Sequence, residues 1–391
     1  MGRMLPWPAA AQGAAPPGAD TGVVGLPRRH RLGSQTKELR APVVPQIAPP
    51  GPEKETDLRA SDVSDPQYFH KVVDCQWACP AHTPVPEYIR LIAQGRHDEA
   101  YMVNWASNVF PGVLGRTCDR PCEPACRRGR AEEENAAKPE PVAICRLKRV
   151  AADYKTAEVR ALIPQALPRN GKKVACVGAG PASLTVARDL ASQGYAVTVF
   201  DGEQRAGGFM WSQIPRFRLP ETVIDEEVGY ILNLGVELRA NQRVDSLKAL
   251  LADSYDAVFV GCGAPRGRDL DAPGRQEGAA HIHLGIDWLA SVSFGHVTSI
   301  GKRVIVLGGG NTAMDCCRSA RRLGASDVKV IVRSGFDEMK ASPWEKEDAQ
   351  HEGIPIINMH VPKAYLVKDG KLVGMRFEIV RAEYDAKGRR S

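Results

Sequence analysis

The sequence predicts an α/β protein in which two Rossmann-like nucleotide-binding units follow a helical, cysteine-bearing segment. Three observations predict it. A strand, a glycine turn and a helix start succeed one another at Lys173-Val174-Ala175-Cys176-Val177-Gly178-Ala179-Gly180-Pro181. The same succession begins again at Arg303-Val304-Ile305-Val306-Leu307-Gly308-Gly309-Gly310. Six of the ten cysteines fall between Cys75 and Cys145, ahead of both turns. Alternation of strand and helix after each turn is the pattern of a parallel sheet.

The 391 residues favour two or three domains. The net charge of +6 is spread along the chain, so no nucleic-acid partner is expected. Residues 1–20 are broken by proline and glycine and lack the apolar core of a secretory signal. No run of about 18 apolar residues offers a membrane span. The setting read from this is soluble, reducing and cytoplasmic, where clustered cysteines bind metal more often than they form disulfides.

Residues 1–60 are rich in Pro, Ala and Gly, with no helical or strand period, and read as a disordered leader. Their basic excess up to residue 50 would also suit an organelle-targeting peptide; a flexible tail is the plainer reading. Residues 61–168 read as a helical domain. Helices are expected at Pro86–Gln94, stopped by Gly95, at His97–Trp105, and at Pro141–Tyr154 with Ile144, Leu147, Val150 and Ala151 on one stripe. Residues 169–300 and 301–391 read as the two nucleotide-binding units.

The first turn, Gly178-Ala179-Gly180-Pro181-Ala182-Ser183, has the G-x-G-x-x-small form that lets backbone approach a pyrophosphate. The helix behind it presents unpaired N–H groups. Its second strand runs from Tyr195 and ends at Asp201, an acid placed to take a ribose hydroxyl pair. The plain alternative is a tight strand–helix turn without a ligand. The second turn, Gly308-Gly309-Gly310-Asn311-Thr312, is followed by the strand Val328–Val332, which ends at Arg333 where an acid would favour NAD. Arg333, with Lys340 a short loop away, would accept the 2′-phosphate of NADP(H) instead; a solvated strand end is the bland reading. Two dinucleotide sites in one chain suggest a flavin plus a nicotinamide. Hydride transfer between two rings needs little acid–base machinery, and no catalytic triad or carboxylate pair is discerned.

From residue 75 to its end the chain resembles the small subunit of NADPH-dependent glutamate synthase and the NADPH-oxidising part of dihydropyrimidine dehydrogenase. The stretches that carry the resemblance are Cys79-Pro80, Gly115-Arg116-Thr117-Cys118, Pro121-Cys122-Glu123-Pro124-Ala125-Cys126, Gly178–Ala182, Gly207-Gly208, Ile214-Pro215-Arg216-Phe217-Arg218-Leu219-Pro220, Gly261–Ala264 and Gly309–Asp315. The resemblance implies FAD contacts at Gly178, Gly180, Pro181, Ala182, Ser183, Asp201, Gly208, Phe209 and Arg218. It implies NADPH contacts at Gly309, Gly310, Asn311 and Thr312, with Arg333 and Lys340 on the 2′-phosphate. It further implies an iron–sulfur domain over 61–168 and an electron-accepting partner subunit, whose final acceptor this chain does not specify.

The family pattern breaks in two places. The family carries four N-terminal cysteines and three later ones, which hold two [4Fe–4S] clusters. Here only Cys75 and Cys79 remain of the first group, and Tyr68-Phe69-His70-Lys71 supplies no thiol; Cys118, Cys122 and Cys126 are present. By match to the family, Cys79, Cys118 and Cys122 belong to one cluster. The family's fourth ligand is a Gln or Glu where Lys148 stands here, and Cys145, one helical turn earlier, is expected to complete the site. Cys75 and Cys126 would be left over. Another four of the six cysteines, or zinc, are the rival readings. Cys176, Cys262, Cys316 and Cys317 read as buried core cysteines. At the other end the chain stops at Ser391, before the family's return to the FAD domain, so the C-terminal part of that domain is expected to be missing. A non-catalytic or truncated redox module is the alternative function. A disulfide reductase would need a redox cysteine pair, and adjacent Cys316-Cys317 are poorly placed to bridge.

Overall fold

The computed structural model describes residues 73–130, 140–253, 255–264 and 266–383. The expected leader, the segment 68–71 and residues 384–391 lie outside the described residues.

Short helices come first: α1 (Asp74–Ala78), α2 (Val85–Ala93), α3 (His97–Asn108), α4 (Pro111–Thr117), α5 (Ile144–Asp153) and α6 (Val159–Leu162). Pro86 in the first turn of α2 presets a helical φ, and Val85, Tyr88 and Leu91 bury one stripe of it. Gly95, at φ 73°, ends that helix as expected. Helix α3 opens on Asp98 and Glu99, whose charge suits the positive end of the helix dipole, and runs past Trp105 to Asn108. Helix α4, which periodicity did not predict because it spans barely two turns, crosses α5 at Gly115. A Cβ there would lie 2.7 Å from the Arg149 Cα, so only glycine permits the approach.

Strand β1 (Lys173–Val177), helix α7 (Pro181–Ser192) and strand β2 (Ala196–Phe200) follow, then α8 (Phe209–Ser212), α9 (Glu221–Leu232), β3 (Glu237–Arg239), α10 (Leu247–Ala252) and β4 (Ala257–Val260). The four strands form one parallel sheet in the order β3-β2-β1-β4. Its core is continuous with the helical segment: Val109, Phe110 and Val113 pack in the same cluster as Cys176, Leu184, Val199, Leu219 and Ile231.

After α11 (Gly285–Ser293), the second unit runs β5 (Arg303–Leu307), α12 (Asn311–Arg322), β6 (Asp327–Ile331), α13 (Pro343–His351) and β7 (Ile356–Ile357), with a parallel sheet in the order β5-β6-β7. Strand β5 is an edge among the described residues, and its Ile305 is 43% exposed. An antiparallel hairpin, β8 (His360–Lys368) and β9 (Lys371–Ile379), closes the described chain. Its turn residues Asp369 and Gly370 have φ of 51° and 71°, the left-handed pair that a two-residue hairpin loop requires.

One buried carboxylate joins the helical segment to the first sheet. Glu227, on α9 and 1% exposed, accepts hydrogen bonds from Gly112 N at 2.7 Å, Val113 N at 3.1 Å and Tyr101 Oη at 2.9 Å. Gly112 and Val113 lie in the first turn of α4, where backbone N–H groups have no partner within the helix. The contact is reinforced on α7, where Arg188 donates to the carbonyl oxygens of Trp105 and Ala106 in the last turn of α3.

Burial outweighs these hydrogen bonds and pushes the Glu227 carboxyl up to about 7, above its unfolded value near 4.3. Its contribution to stability is therefore complete below about pH 4.3 and is lost as pH rises through 7. The loss is on the order of 3 kcal/mol. Denaturant titrations of Glu227→Gln across that range should show a flatter pH dependence than the parent chain, because the amide keeps an acceptor and cannot ionise. An unchanged slope would remove Glu227 as its source.

Candidate functional site

Three groups of residues were singled out in the sequence, and the fold brings them into one connected region. The first glycine turn joins β1 to α7. Gly178, at φ 92°, donates its N–H to Phe200 O at 2.7 Å, which places the turn at the end of β2. Asp201 follows β2 directly: its Oδ2 accepts from Ala179 N at 2.5 Å and its Oδ1 from Glu203 N at 2.8 Å. The expected acid thus meets the expected turn. Ser183, in the first turn of α7, is fully buried, and its Oγ finds no hydrogen-bond partner among the described residues.

The turn is a cradle of bare backbone. A Cβ on Gly178 would lie 2.7 Å from Gly261 O, and one on Gly208 would lie 2.8 Å from the Gly180 Cα. Gly208 has φ 53° and precedes Phe209, which is 41% exposed. Pro181 and Ala182 begin α7. Three strand–helix connections thus converge without side chains at the N-terminus of a twelve-residue helix. Such a site suits a dinucleotide pyrophosphate, and the orphaned Ser183 hydroxyl adds a free polar group beside it. The residues fit FAD.

The second turn opens onto a cleft of about 1840 Å³, lined among others by Gly309, Gly310, Thr312, Arg333 and Lys340. Gly309 must be bare, because a Cβ would meet Val332 Cγ1 at 2.9 Å. Asn311 behaves differently from its neighbours. Its Oδ1 accepts from Ser342 N at 2.8 Å, and its Nδ2 donates to Ser342 Oγ at 3.3 Å and to Asp119 Oδ1 at 3.5 Å. It therefore fixes the loop before α13 instead of lining the cleft. Glycine-lined backbone at the start of α12 with two cations across the cleft fits a nicotinamide nucleotide carrying a 2′-phosphate.

Cys79 and Cys118 end α1 and α4, Cys122 lies in the turn after α4, and Cys145 sits in the first turn of α5. Cys145 lies one turn before Lys148 on the same buried face of α5. Cys122 feels the charges of Cys118 and Cys79, and Cys145 that of Cys118. Burial first, then Cys118, pushes the Cys122 thiol up to about 12. At Cys79 burial is outweighed by hydrogen bonding with the Thr83 side chain and with the backbone of Ala81 and Thr83, and the thiol falls below its ordinary range. Cys75 is raised by burial and by its neighbour Cys126, and both pack in the same buried cluster as Cys122. Four thiolates are the donor set of a [4Fe–4S] cluster, and zinc is the other metal that takes such a set.

Of the four remaining cysteines, Cys176, Cys316 and Cys317 are buried as expected, but Cys262 is exposed. The sequence reading is corrected there: β4 is an edge strand among the described residues, and the chain leaves the sheet after Val260.

Two contacts that sequence reasoning missed bind these groups together. Asp119, next to Cys118, accepts a hydrogen bond from Ser342 Oγ at 3.0 Å and meets Asn311, and Arg120 lies 4.1 Å over the Trp344 ring. The cysteine loop thus touches the second nucleotide turn. Arg218, from the string between α8 and α9, gives Nη1 to both oxygens of Asp315 at 2.7 Å and Nη2 to Glu345 Oε1 at 2.5 Å. Arg318 meets Glu345 from the other side at 3.1 Å. Burial first pushes the Asp315 carboxyl up to about 6, against the pull of Arg218. No motif rule predicts these pairs, because their partners lie far apart in sequence.

The comparisons with known proteins agree with this geometry. The family model for dihydropyrimidine dehydrogenase domain II, 4Fe-4S cluster, matches residues 68–160, and that for pyridine nucleotide-disulphide oxidoreductase matches 172–383. The NADP(+)-dependent formate dehydrogenase subunit beta of Moorella thermoacetica is 36% identical over 81% of this chain and 47% of its own length. The NADPH-Fe(3+) oxidoreductase subunit beta of Geobacter sulfurreducens is 36% identical over 84% of this chain and 50% of its own. The glutamate synthase [NADPH] small chain of Azospirillum brasilense is 34% identical over 86% of this chain and 71% of its own. The chain spans about half the length of the first two relatives. It belongs to the pyridine nucleotide-disulphide oxidoreductase family, in the branch of the glutamate synthase small chains and related beta subunits. The two family models thus set a 4Fe-4S domain ahead of a pyridine nucleotide oxidoreductase domain in one chain.

Replacing Arg218 by Met would leave Asp315 and Glu345 buried with one cation fewer. Removing one partner of a buried pair costs about 3–5 kcal/mol. Arg218→Met should lower the denaturation midpoint accordingly, and Arg218→Met with Asp315→Leu should recover part of the loss. Equal stability of Arg218→Met and the parent chain would show that the network contributes nothing.

Proposed function

We propose that this chain oxidises NADPH at the second turn and delivers the electrons through FAD and one [4Fe–4S] cluster to a partner subunit. Bound FAD supplies the change from hydride acceptance to single-electron release, and the cluster supplies a one-electron carrier. The chain's own residues bind and orient. In this reading Gly178, Gly180, Pro181, Ala182, Ser183, Asp201, Gly208 and Phe209 hold FAD, and Arg218 joins them through its Nε, which makes no hydrogen bond among the described residues. Gly309, Gly310 and Thr312 hold NADPH, Arg333 and Lys340 take the 2′-phosphate, and Asn311 fixes the loop behind. Cys79, Cys118, Cys122 and Cys145 hold the cluster, leaving Cys75 and Cys126 as a pair without one. The working domains are 61–168, 169–300 and 301–391.

The observation that carries this reading is the junction at Asp119. It sets the cysteine loop against the second nucleotide turn through Asn311 and Ser342. Glu227 meanwhile fastens the helix that leads to Cys118 onto the unit holding the first turn. The partner subunit is supported by relatives that are themselves named as subunits. Ten unpaired cysteines suit a reducing compartment, which we take to be the cytoplasm. Among the described residues no helix is long and apolar enough to cross a membrane.

Purified without oxygen, the chain should show a flavin spectrum that bleaches with NADPH and about four irons with matching sulfide, as one [4Fe–4S] cluster requires. Cys145→Ala should lose the iron and keep the flavin; full iron retention would exclude Cys145 as a ligand. Arg333→Ala should shift the preference from NADPH toward NADH by about tenfold, equal to about 1.4 kcal/mol. A preference that does not move would take Arg333 out of the 2′-phosphate site.

A further inference from the structure

Lys148 is a charged group near the cysteines that has no ion-pair partner among the described residues. It lies on α5, one turn after Cys145, and only 6% of it is exposed. Its ammonium acts on Cys79, Cys122 and Cys145, so three of the four grouped thiols lie within reach of its field. Among the described residues it makes no hydrogen bond and no ion pair. The nearby carboxylate, Glu123, accepts from Cys145 N at 3.0 Å and faces Arg120 at 4.0 Å. Tyr88, also near these thiols, donates its hydroxyl to Ile144 O at 2.9 Å.

A buried ammonium without an anion costs several kcal/mol. The local fold brings three of the four thiols within its field and, among the described residues, no carboxylate into an ion pair with it. The charge is balanced if those sulfurs are thiolates bound to iron, whose assembly is net negative. We propose that Lys148 is the buried counter-ion of the iron–sulfur site and sets its reduction potential. The inference rests on the reading that Cys79, Cys118, Cys122 and Cys145 hold a cluster. When one electron enters, no bond breaks and no proton moves; the site gains one negative charge. A fixed cation close by stabilises the reduced form more than the oxidised one, so Lys148 raises the potential. Cys118 also accepts from Arg120 N, and the Arg120 guanidinium acts on Cys145 as well, but it is shared with Glu123, whereas Lys148 acts on Cys79, Cys122 and Cys145.

The test uses the full chain, purified without oxygen, titrated with dithionite and redox mediators and followed by electron paramagnetic resonance. Lys148→Met should lower the midpoint potential by at least a tenfold change in the one-electron equilibrium, about 59 mV. Lys148→Arg, which keeps the charge, should stay near the parent. Iron and sulfide are counted in every sample. A parent chain without iron would sink the cluster reading itself. A parent and a Lys148→Met variant that both hold iron at the same potential would overturn the role of Lys148 alone. Should Lys148→Met lose its iron, Lys148→Arg decides: retention by the arginine variant supports a requirement for charge, and loss from both makes the residue a spacer and overturns the proposal.

Discussion

The arrangement depends on a carboxylate in a place where carboxylates are costly. Glu227 is sealed from water on α9 and occupies the open end of α4. Without it two helix N–H groups and a tyrosine hydroxyl would be buried unpaired, each at about 1–3 kcal/mol. The helix it anchors is seven residues long and runs directly into Cys118. Position at one end of that helix becomes position at the other. The crossing with α5 fixes its direction, since Gly115 meets the Arg149 backbone with no side chain between. Cys118 and Cys145 are thereby presented by two helices that cannot slide apart independently.

From this anchor the chemistry is distributed in order. The first turn lies at the carboxyl ends of β1 and β2, and the second at those of β5 and β6, which is where open parallel sheets leave a crevice for nucleotides. The two sheets present bare glycine backbone where phosphate approaches, and the cysteine loop abuts the second turn through Asp119. Little acid–base apparatus is needed if the bound groups carry the electrons. What the protein must supply is spacing, and every contact described between the three groups is a spacing contact.

Much of this was legible in the sequence. Strands β1 and β5 were read to the residue, because a short apolar run closed by glycine has few other meanings. Asp201 was placed beside its turn by the length of one strand–helix–strand unit. The hairpin of β8 and β9 carried a legible Asp369-Gly370 signal that was overlooked. Helices α1 and α4 were not legible, because five and seven residues hold too little periodicity. Glu227, Asp119 and the pairing of Arg218 with Asp315 were hidden for another reason: each joins residues far apart in the chain, and a charged side chain on a predicted helix reads as solvated. The buried state of Lys148 was obscured in the same way. Cys262 shows the converse error, since small apolar neighbours in sequence do not guarantee cover when the strand is at an edge.

The joint made by Arg218, Asp315, Glu345 and Arg318 also bears on how such a chain can change through descent. Arg218 and Asp315 come from separate nucleotide units, and each is nearly enclosed. A lysine at 218 could not reproduce the fork that meets both carboxylates. Any single replacement at 218, 315 or 345 passes through a protein with an unmatched charge in its interior. The three positions are therefore expected to be inherited as a block, kept together or exchanged together. The exposed pairs elsewhere, such as Arg243 with Asp245, are free to drift one residue at a time.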